Sequence, residues 1–186
     1  MKELSLNILD VAKNSVTAGA SLIQISLLID ADGWLTLTIA DNGCGMSRET
    51  LQNVTDPFYT TRTTRKVGLG LPLLKLAAEQ TGGDLQLESS QEDGSSGTTL
   101  TARFDTKSID CMPIGDIIST ICILIAGSPE IDFEFSDVTP SREISLKTSE
   151  IRAVLGEDIS LAEPEIQSWM REYLQEQYTS EAEHLA

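Results

Sequence analysis

The chain has 186 residues, of which 40% are hydrophobic and 23% charged, a mixture typical of a soluble globular protein. Its formal net charge of −16 and its pI near 4.2 oppose nonspecific binding to nucleic acid or to anionic lipid. The three cysteines, Cys44, Cys111 and Cys122, form no Cys-x-x-Cys pair, which argues against a disulfide framework or a zinc site. No secretory signal pattern opens the sequence, and the most apolar run, 114–126, is too short to cross a bilayer. We therefore expect a cytoplasmic protein that binds neither nucleic acid nor membrane.

Helices and paired strands are predicted along the first hundred residues. Periodicity and turn residues predict a helix over 4–17, strands over 22–29 and 34–40 joined by a turn at 30–33, a short helix over 47–54, a loop over 56–68, a helix over 69–80, and strands over 84–89 and 97–104. This pattern favours an α+β fold, a two-layer α/β sandwich in which a mainly antiparallel mixed sheet carries helices on one face.

The sequence changes in character after residue 105, which predicts a smaller C-terminal α/β extension. We divide the chain into residues 1–105 and 106–186. The second part is expected to hold a buried helix over 114–125, a β-hairpin from 131–135 and 144–146 around Pro140, an amphipathic helix and an acidic tail. Apolar residues follow helical spacing in the last helix, a stripe that indicates core more often than a binding site: Ile166, Trp169, Met170, Tyr173 and Leu174.

The residues from Asp41 to Met46 are a candidate adenine pocket. Asp41 follows a predicted strand, where its carboxylate can accept a hydrogen bond from an exocyclic amine. Gly43 and Gly45 would let the backbone approach a flat ring. By itself the segment is also ordinary turn chemistry, so a plain turn remains the alternative.

A polar stripe on the first predicted helix supports a nucleotide site. Asn7, Asp10 and Asn14 occur at i, i+3 and i+7 and are expected on one side. Asn14 offers an uncharged oxygen that suits Mg²⁺ bridged to phosphates, and Asp10 could act as a general base. A solvated helix face is the alternative interpretation.

A glycine-rich turn at the start of the predicted helix 69–80 is a candidate phosphate site. Gly68 and Gly70 expose backbone N–H groups at a helix N-terminus, which favours an anion, and Arg62, Arg65 and Lys66 precede them. The alternative is a flexible hinge with solvated basic neighbours. At the start of the last core strand, the Thr98 hydroxyl could join Asp41 and a water around the base edge.

Taken in order, these motifs resemble the histidine-kinase-like ATPase superfamily, which includes gyrase, chaperone, sensor kinase and mismatch-repair ATPases. The matching segments lie within about the first hundred residues: 7–20, 41–46, 56–62, 68–71 and 97–99. The resemblance implies that ATP lies between the first helix and a mobile lid. It makes Asn14 the magnesium ligand and Asp41 the adenine-binding aspartate, and it places Asp10, the expected catalytic residue, where hydrolysing members carry glutamate. The remaining expected ATP contacts are Gly43, Gly45, Met46, Phe58, Thr61, Arg62, Gly68, Leu69, Gly70, Leu71 and Thr98.

Two departures from the resemblance narrow the expected function. The only histidine, His184, lies in the acidic tail without a phosphoacceptor motif, so we expect no autophosphorylation on histidine. Thr17 stands where kinases often have lysine, which leaves the phosphate contacts of that helix open. We therefore expect a kinase-type domain that binds ATP and Mg²⁺ and phosphorylates or regulates a separate protein. An ATP-gated interaction switch and a slow ATP hydrolase are the alternatives.

Overall fold

The computed structural model describes residues 3–55, 70–92, 94–156 and 159–180, and the described residues form six helices and six strands. In chain order these are α1 Leu4–Thr17, β1 Leu22–Ile29, β2 Trp34–Asp41, α2 Arg48–Asn53, α3 Gly70–Gln80, β3 Leu85–Ser90, β4 Gly97–Asp105, α4 Ile117–Gly127, β5 Asp132–Thr139, β6 Arg142–Lys147, α5 Thr148–Leu155 and α6 Pro164–Ser180.

The six strands form one mixed sheet in the order β3-β4-β2-β1-β5-β6. Strand β1 lies near its centre, antiparallel to β2 and parallel to β5, while the other neighbouring strands are antiparallel. The predicted α+β sandwich with a mainly antiparallel mixed sheet is therefore confirmed.

Buried and more exposed residues alternate along the central strands, which explains why the sheet buries only one of its faces. In β1 the side chains of Ile23, Ile25 and Leu27 are at most 2% exposed, and the residues between them are more exposed. Since successive side chains of a strand point to opposite faces, this apolar set forms one continuous surface. Helix α1 covers part of it with Ile8 and Ala12, which are fully buried in the same core.

Strands β5 and β6 extend this sheet rather than forming a separate one. Phe133 and Phe135 of β5 are each 2% exposed and belong to the same core cluster as β1. Helices α4 and α6 pack against each other, and α4 also packs against α1. The division of the chain near residue 105 stays a prediction, while sheet and core are continuous across it.

The C-terminal half differs from the predicted elements in two places. Helix α4 begins at Ile117 rather than at residue 114, because the Asp116 side chain caps it by accepting a hydrogen bond from the Ser119 N–H at 2.9 Å. Helix α5 was not predicted, since its eight residues include only one fully buried side chain, that of Thr148. Within the residues described, no helix combines the length and the apolar character needed to cross a membrane.

Because β5 pairs directly with β1, we expect the two halves of the chain to unfold together. The chain has two tryptophans, Trp34 in β2 and Trp169 in α6. Trp34→Phe and Trp169→Phe each leave one fluorescent reporter, in α6 and in β2 respectively. Urea unfolding followed by tryptophan emission should give the same midpoint in the two variants. Circular dichroism of each variant measures any shift in midpoint that the substitution itself causes, and the emission midpoints are corrected for that shift. Two separated transitions would show that residues 1–105 and 106–186 are independent units.

The cap of α4 should contribute to stability in a pH-dependent way. Hydrogen bonds from Ser119 lower the pKa of the Asp116 carboxyl below its ordinary value. Asp116→Ala should reduce the free energy of unfolding by about 1 kcal/mol at neutral pH. A group whose pKa is lowered by folding stabilises the fold above its unfolded pKa, so this difference should shrink as pH falls below about 4.

The control for this measurement is Asp110→Ala, which removes an exposed aspartate that lies outside the helices. Denaturant unfolding of the wild type and both variants between pH 3 and 7 provides the comparison. An equal loss of stability in both variants would contradict the capping role.

Candidate functional site

Helix α1 presents two of the predicted polar residues on one side. Asp10 and Asn14 lie one turn apart and are both half-buried. Asn7, by contrast, is only 1% exposed, and its Nδ2 donates to the Sδ of Met112 at 3.4 Å. Asn7 therefore belongs to the packed interior, so the alternative of a fully solvated polar face does not hold for this helix.

The carboxylate of Asp41, at the end of β2, is held at both oxygens. Its Oδ2 accepts a hydrogen bond from the Ser15 hydroxyl at 2.6 Å, and its Oδ1 accepts one from the Gly43 N–H at 2.9 Å. Each carboxylate oxygen has two lone pairs, so both can accept a further hydrogen bond. Asp41 is thus an oriented, half-buried acceptor between β2 and α1.

Hydrogen bonds hold the loop that follows Asp41 against neighbouring segments of the chain. The Oδ1 of Asn42 accepts hydrogen bonds from the backbone N–H groups of Ser21 and Leu22, each at 2.9 Å. The Cys44 N–H donates to the Ala18 carbonyl at 2.9 Å. These bonds tie the loop to the start of β1 and to the residue that follows α1, which gives the wall beside Asp41 a fixed shape.

Close packing explains the two glycines of this loop. A Cβ on Gly43 would lie 2.9 Å from the Cβ of Ala18. Gly45 has φ +66°, and a Cβ there would lie 1.8 Å from the Ser90 carbonyl oxygen. Both positions therefore require glycine because of neighbouring protein atoms. Their contact with a flat ring stays a prediction.

Thr98 lies beside Asp41 on the neighbouring strand. The two residues are partners in the β2–β4 ladder, so their side chains share one face of the sheet. The Thr98 hydroxyl is 2.8 Å from the Ser89 hydroxyl, which also accepts a hydrogen bond from the Met46 N–H at 2.8 Å. Thr98 and Met46 are thus joined through Ser89 next to the Asp41 carboxylate.

The start of α3 lies against Asp10. A Cβ on Gly70, the first residue of α3, would lie 3.6 Å from the Cβ of Asp10 and 3.7 Å from its Oδ2. Leu71 is partly buried and packs on the core. Seven residues of the predicted site lie outside the described part of the chain: Phe58, Thr61, Arg62, Arg65, Lys66, Gly68 and Leu69.

The donor groups present fit a magnesium ion only when it is shared with a phosphate ligand. Among the described residues, no group of three or more His, Cys, Asp or Glu is placed to hold a metal ion. Magnesium usually takes one or two protein oxygens and completes its shell with water and substrate phosphate. The half-buried amide of Asn14, one turn from the Asp10 carboxylate, is compatible with that donor set.

Sequence reasoning missed the residues that orient this site. Ser15 is 4% exposed and lies at the helical spacing of the buried apolar residues of α1, yet its hydroxyl holds Asp41. The available signal was a hydroxyl residue at a buried helix position. Ser89 and Asn42 had no such signal, because their partners, Thr98, Met46, Ser21 and Leu22, come from other strands and loops.

A family model and curated relatives match the N-terminal part of the chain. The model of the family described as "Histidine kinase-, DNA gyrase B-, and HSP90-like ATPase" matches residues 1–108. A putative sensor protein of Shewanella frigidimarina is 32% identical over 95 residues, which is 50% of this chain and 14% of that protein. The sensor histidine kinase CpxA of Escherichia coli is 30% identical over 90 residues, which is 46% of this chain and 20% of that protein. The chain thus spans about a fifth or less of these relatives.

Solved structures share the fold at low sequence identity. The MutL ATPase domain of Aquifex aeolicus, complexed with ADP, superposes with a TM-score of 0.52 and 15% identity, covering 83% of this chain and 69% of that one. The N-terminal domain of a DNA repair protein gives a TM-score of 0.56 at 15% identity, covering 84% of this chain and 58% of that one. Because the family model covers more than half of the chain, this chain belongs to the histidine kinase-, DNA gyrase B- and HSP90-like ATPase family, as an ATP-binding domain.

Proposed function

We propose that this ATP-binding domain is of the kinase type and uses magnesium-ATP to phosphorylate or regulate a separate protein. The observation that carries the proposal is the Asp41 carboxylate, held by Ser15 and Gly43 at the end of β2, on the same face of the sheet as Thr98. Relatives named as sensor proteins and sensor histidine kinases support the kinase type.

Each polar residue has a distinct role in this proposal. The Asp41 carboxylate accepts a hydrogen bond from the adenine amine, and the Thr98 hydroxyl lies beside it along the base edge. The Asn14 amide oxygen binds the magnesium ion. When bound, magnesium-ATP supplies the transferable phosphoryl group. The start of α3, at Gly70, favours the negative charge of the phosphates.

Asp10 is the proposed base. It is half-buried, lies one turn before Asn14, and would be in van der Waals contact with a Cβ placed on Gly70 of α3. From this position its carboxylate would orient the acceptor hydroxyl and take its proton. A carboxylate suits a hydroxyl acceptor better than an imidazole, so a serine or threonine target fits as well as histidine. The absence of a disulfide pattern leads us to propose a reducing, cytoplasmic setting.

One observation favours a second candidate, an ATP-gated interaction switch. Helix α1 carries Asp10 and Asn14 on one side, while its buried Asn7 contacts Met112 of the connection to α4. The N–H groups of Leu4 and Ser5 also donate to the carbonyls of residues 113 and 114. A shift of α1 on nucleotide binding would therefore act directly on the C-terminal half.

The adenine assignment is tested by calorimetry with magnesium-ATP. Asp41→Ala should raise Kd at least ~tenfold, since it removes a charged acceptor, and Ser15→Ala should raise Kd a few-fold, since it frees Asp41 to rotate. Asp110→Ala serves as the control for the loss of one exposed carboxylate. Equal affinities in the wild type and Asp41→Ala would overturn the site.

The role of Asp10 is tested by turnover. Asp10→Asn should keep magnesium-ATP affinity within about threefold and should lower the release or transfer of label from γ-labelled ATP by ~100-fold or more. Asp10→Glu keeps a carboxylate and should retain part of the activity. Unchanged turnover in Asp10→Asn would rule out the base role, and binding without turnover in the wild type would favour the switch.

A further inference from the structure

Helix α6 divides its apolar stripe between the core and the solvent. Met170 and Leu174 are fully buried, whereas Trp169 is 49% exposed and Tyr173 is 38% exposed. The rings of the two exposed aromatics stack on each other, with centroids 5.3 Å apart and an interplanar angle of 16°. The stripe therefore contains buried residues that belong to the core and an exposed aromatic pair that lies outside it.

The opposite side of α6 is fixed to the rest of the fold at several points. Arg171 donates to the Ser119 hydroxyl of α4 at 2.7 Å. The Tyr178 hydroxyl donates to Asp137 of β5 at 2.5 Å, and Asp137 is only 1% exposed. These contacts, together with the buried apolar residues, fix the rotation of the helix, so the aromatic pair is held outward in a defined orientation.

Acidic residues flank the aromatic pair on the same helix face. Glu165, Glu172 and Glu176 lie four residues before, three after and seven after Trp169, and all three are exposed. Arg171 is the only basic residue of α6, and its guanidinium is turned toward α4. We call the five residues Glu165, Trp169, Glu172, Tyr173 and Glu176 the aromatic–acidic face.

We infer that the aromatic–acidic face is a docking surface for an arginine-rich segment of a partner protein. A guanidinium can stack on the indole or phenol ring and at the same time form paired hydrogen bonds with a carboxylate. Lysine satisfies only part of this arrangement, because its ammonium group is compact and not planar. The small aromatic surface suits a weak, reversible contact.

The charge of the chain disfavours other occupants of this face. Nucleic acid and anionic lipid would be repelled by the carboxylates. A second copy is also disfavoured, since the chain carries 29 acidic residues against 13 basic ones. The inference rests on the proposed function in one respect, that the docked segment belongs to the separate protein which the ATP site serves. Binding of the segment itself requires no nucleotide.

The test uses the full chain with Trp34→Phe, which leaves Trp169 as the only tryptophan. The probe is a short synthetic peptide of alternating arginine and leucine, titrated at low salt while Trp169 emission is followed. We expect saturable binding that weakens with added salt, and a Kd at least ~threefold higher for the lysine version of the peptide. No change in emission, or equal affinity for both peptides, would overturn the inference.

Two sets of variants distinguish binding at the aromatic–acidic face from nonspecific electrostatic attraction to the whole protein. Replacing Glu165, Glu172 and Glu176 together with glutamine should raise the peptide Kd at least ~tenfold. The matched set, with glutamine at Glu88, Glu130 and Glu150, makes the same change in net charge at exposed positions outside α6. Equal weakening in both sets would show nonspecific attraction to an acidic protein and would overturn the inference.

The aromatic contribution is measured separately by anisotropy of a fluorescein-labelled peptide. Trp169→Ala should raise the peptide Kd at least ~fivefold, and circular dichroism checks that the helix is retained. If sedimentation of the wild type shows a dimer that Trp169→Ala dissociates, the face belongs to a second copy and the inference is wrong.

Calorimetry with magnesium-ATP on the same variants distinguishes this inference from the proposed function. We expect ATP affinity to be unchanged by all substitutions on α6. Absence of specific peptide binding in the wild type, with normal ATP binding, contradicts the docking surface alone. Absence of ATP binding in the wild type, with specific peptide binding retained, contradicts the proposed function alone.

Discussion

The hydrogen bonds to the Asp41 carboxylate are the interaction on which the site depends. They join the end of a central strand to α1 through Ser15 and to the following loop through Gly43. The buried apolar residues of α1 face the sheet, and the Ser15 contact adds a direct hydrogen bond from this helix to the end of β2. Since Asp10 and Asn14 lie on the same helix, this hydrogen bond helps to hold them relative to Asp41. The residues proposed to contact adenine and those proposed to contact the phosphates are therefore linked by the same pair of side chains.

The local part of the fold could be predicted from the sequence. Helix α1 and strands β1 and β2 follow from apolar spacing and from the turn at 30–33, which are short-range signals. The parallel pairing of β1 with β5 could not be predicted, because nothing within either strand specifies a partner so distant in the sequence. For the same reason the predicted boundary near residue 105 reflects a change in composition, while the sheet is continuous across it.

The polar residues of the candidate site were predicted from their residue types, but the residues that hold them in place were not predicted. Asp41 and Thr98 were expected near one another, and the structure makes them cross-strand partners. Ser89 was missed because its partners lie on other elements, and the hydroxyl at the buried Ser15 position does not by itself identify Asp41 as its partner. In α6 the helical period identified the apolar stripe but could not separate its buried members, Met170 and Leu174, from the exposed Trp169. That separation depends on which neighbour covers each side of the helix.

The β1–β5 pairing also has a consequence for how the chain is made. Its partners, such as Leu22 and Asp132, are about 110 residues apart, and contacts at such separations slow folding. During synthesis β1 emerges before β5 and keeps one edge without its neighbour until β5 has left the ribosome. An unpaired edge of an apolar strand is a template for aggregation. The nascent ATP-binding half is thus exposed to misassembly during the interval between the emergence of β1 and that of β5, and chaperone binding during that interval would protect it.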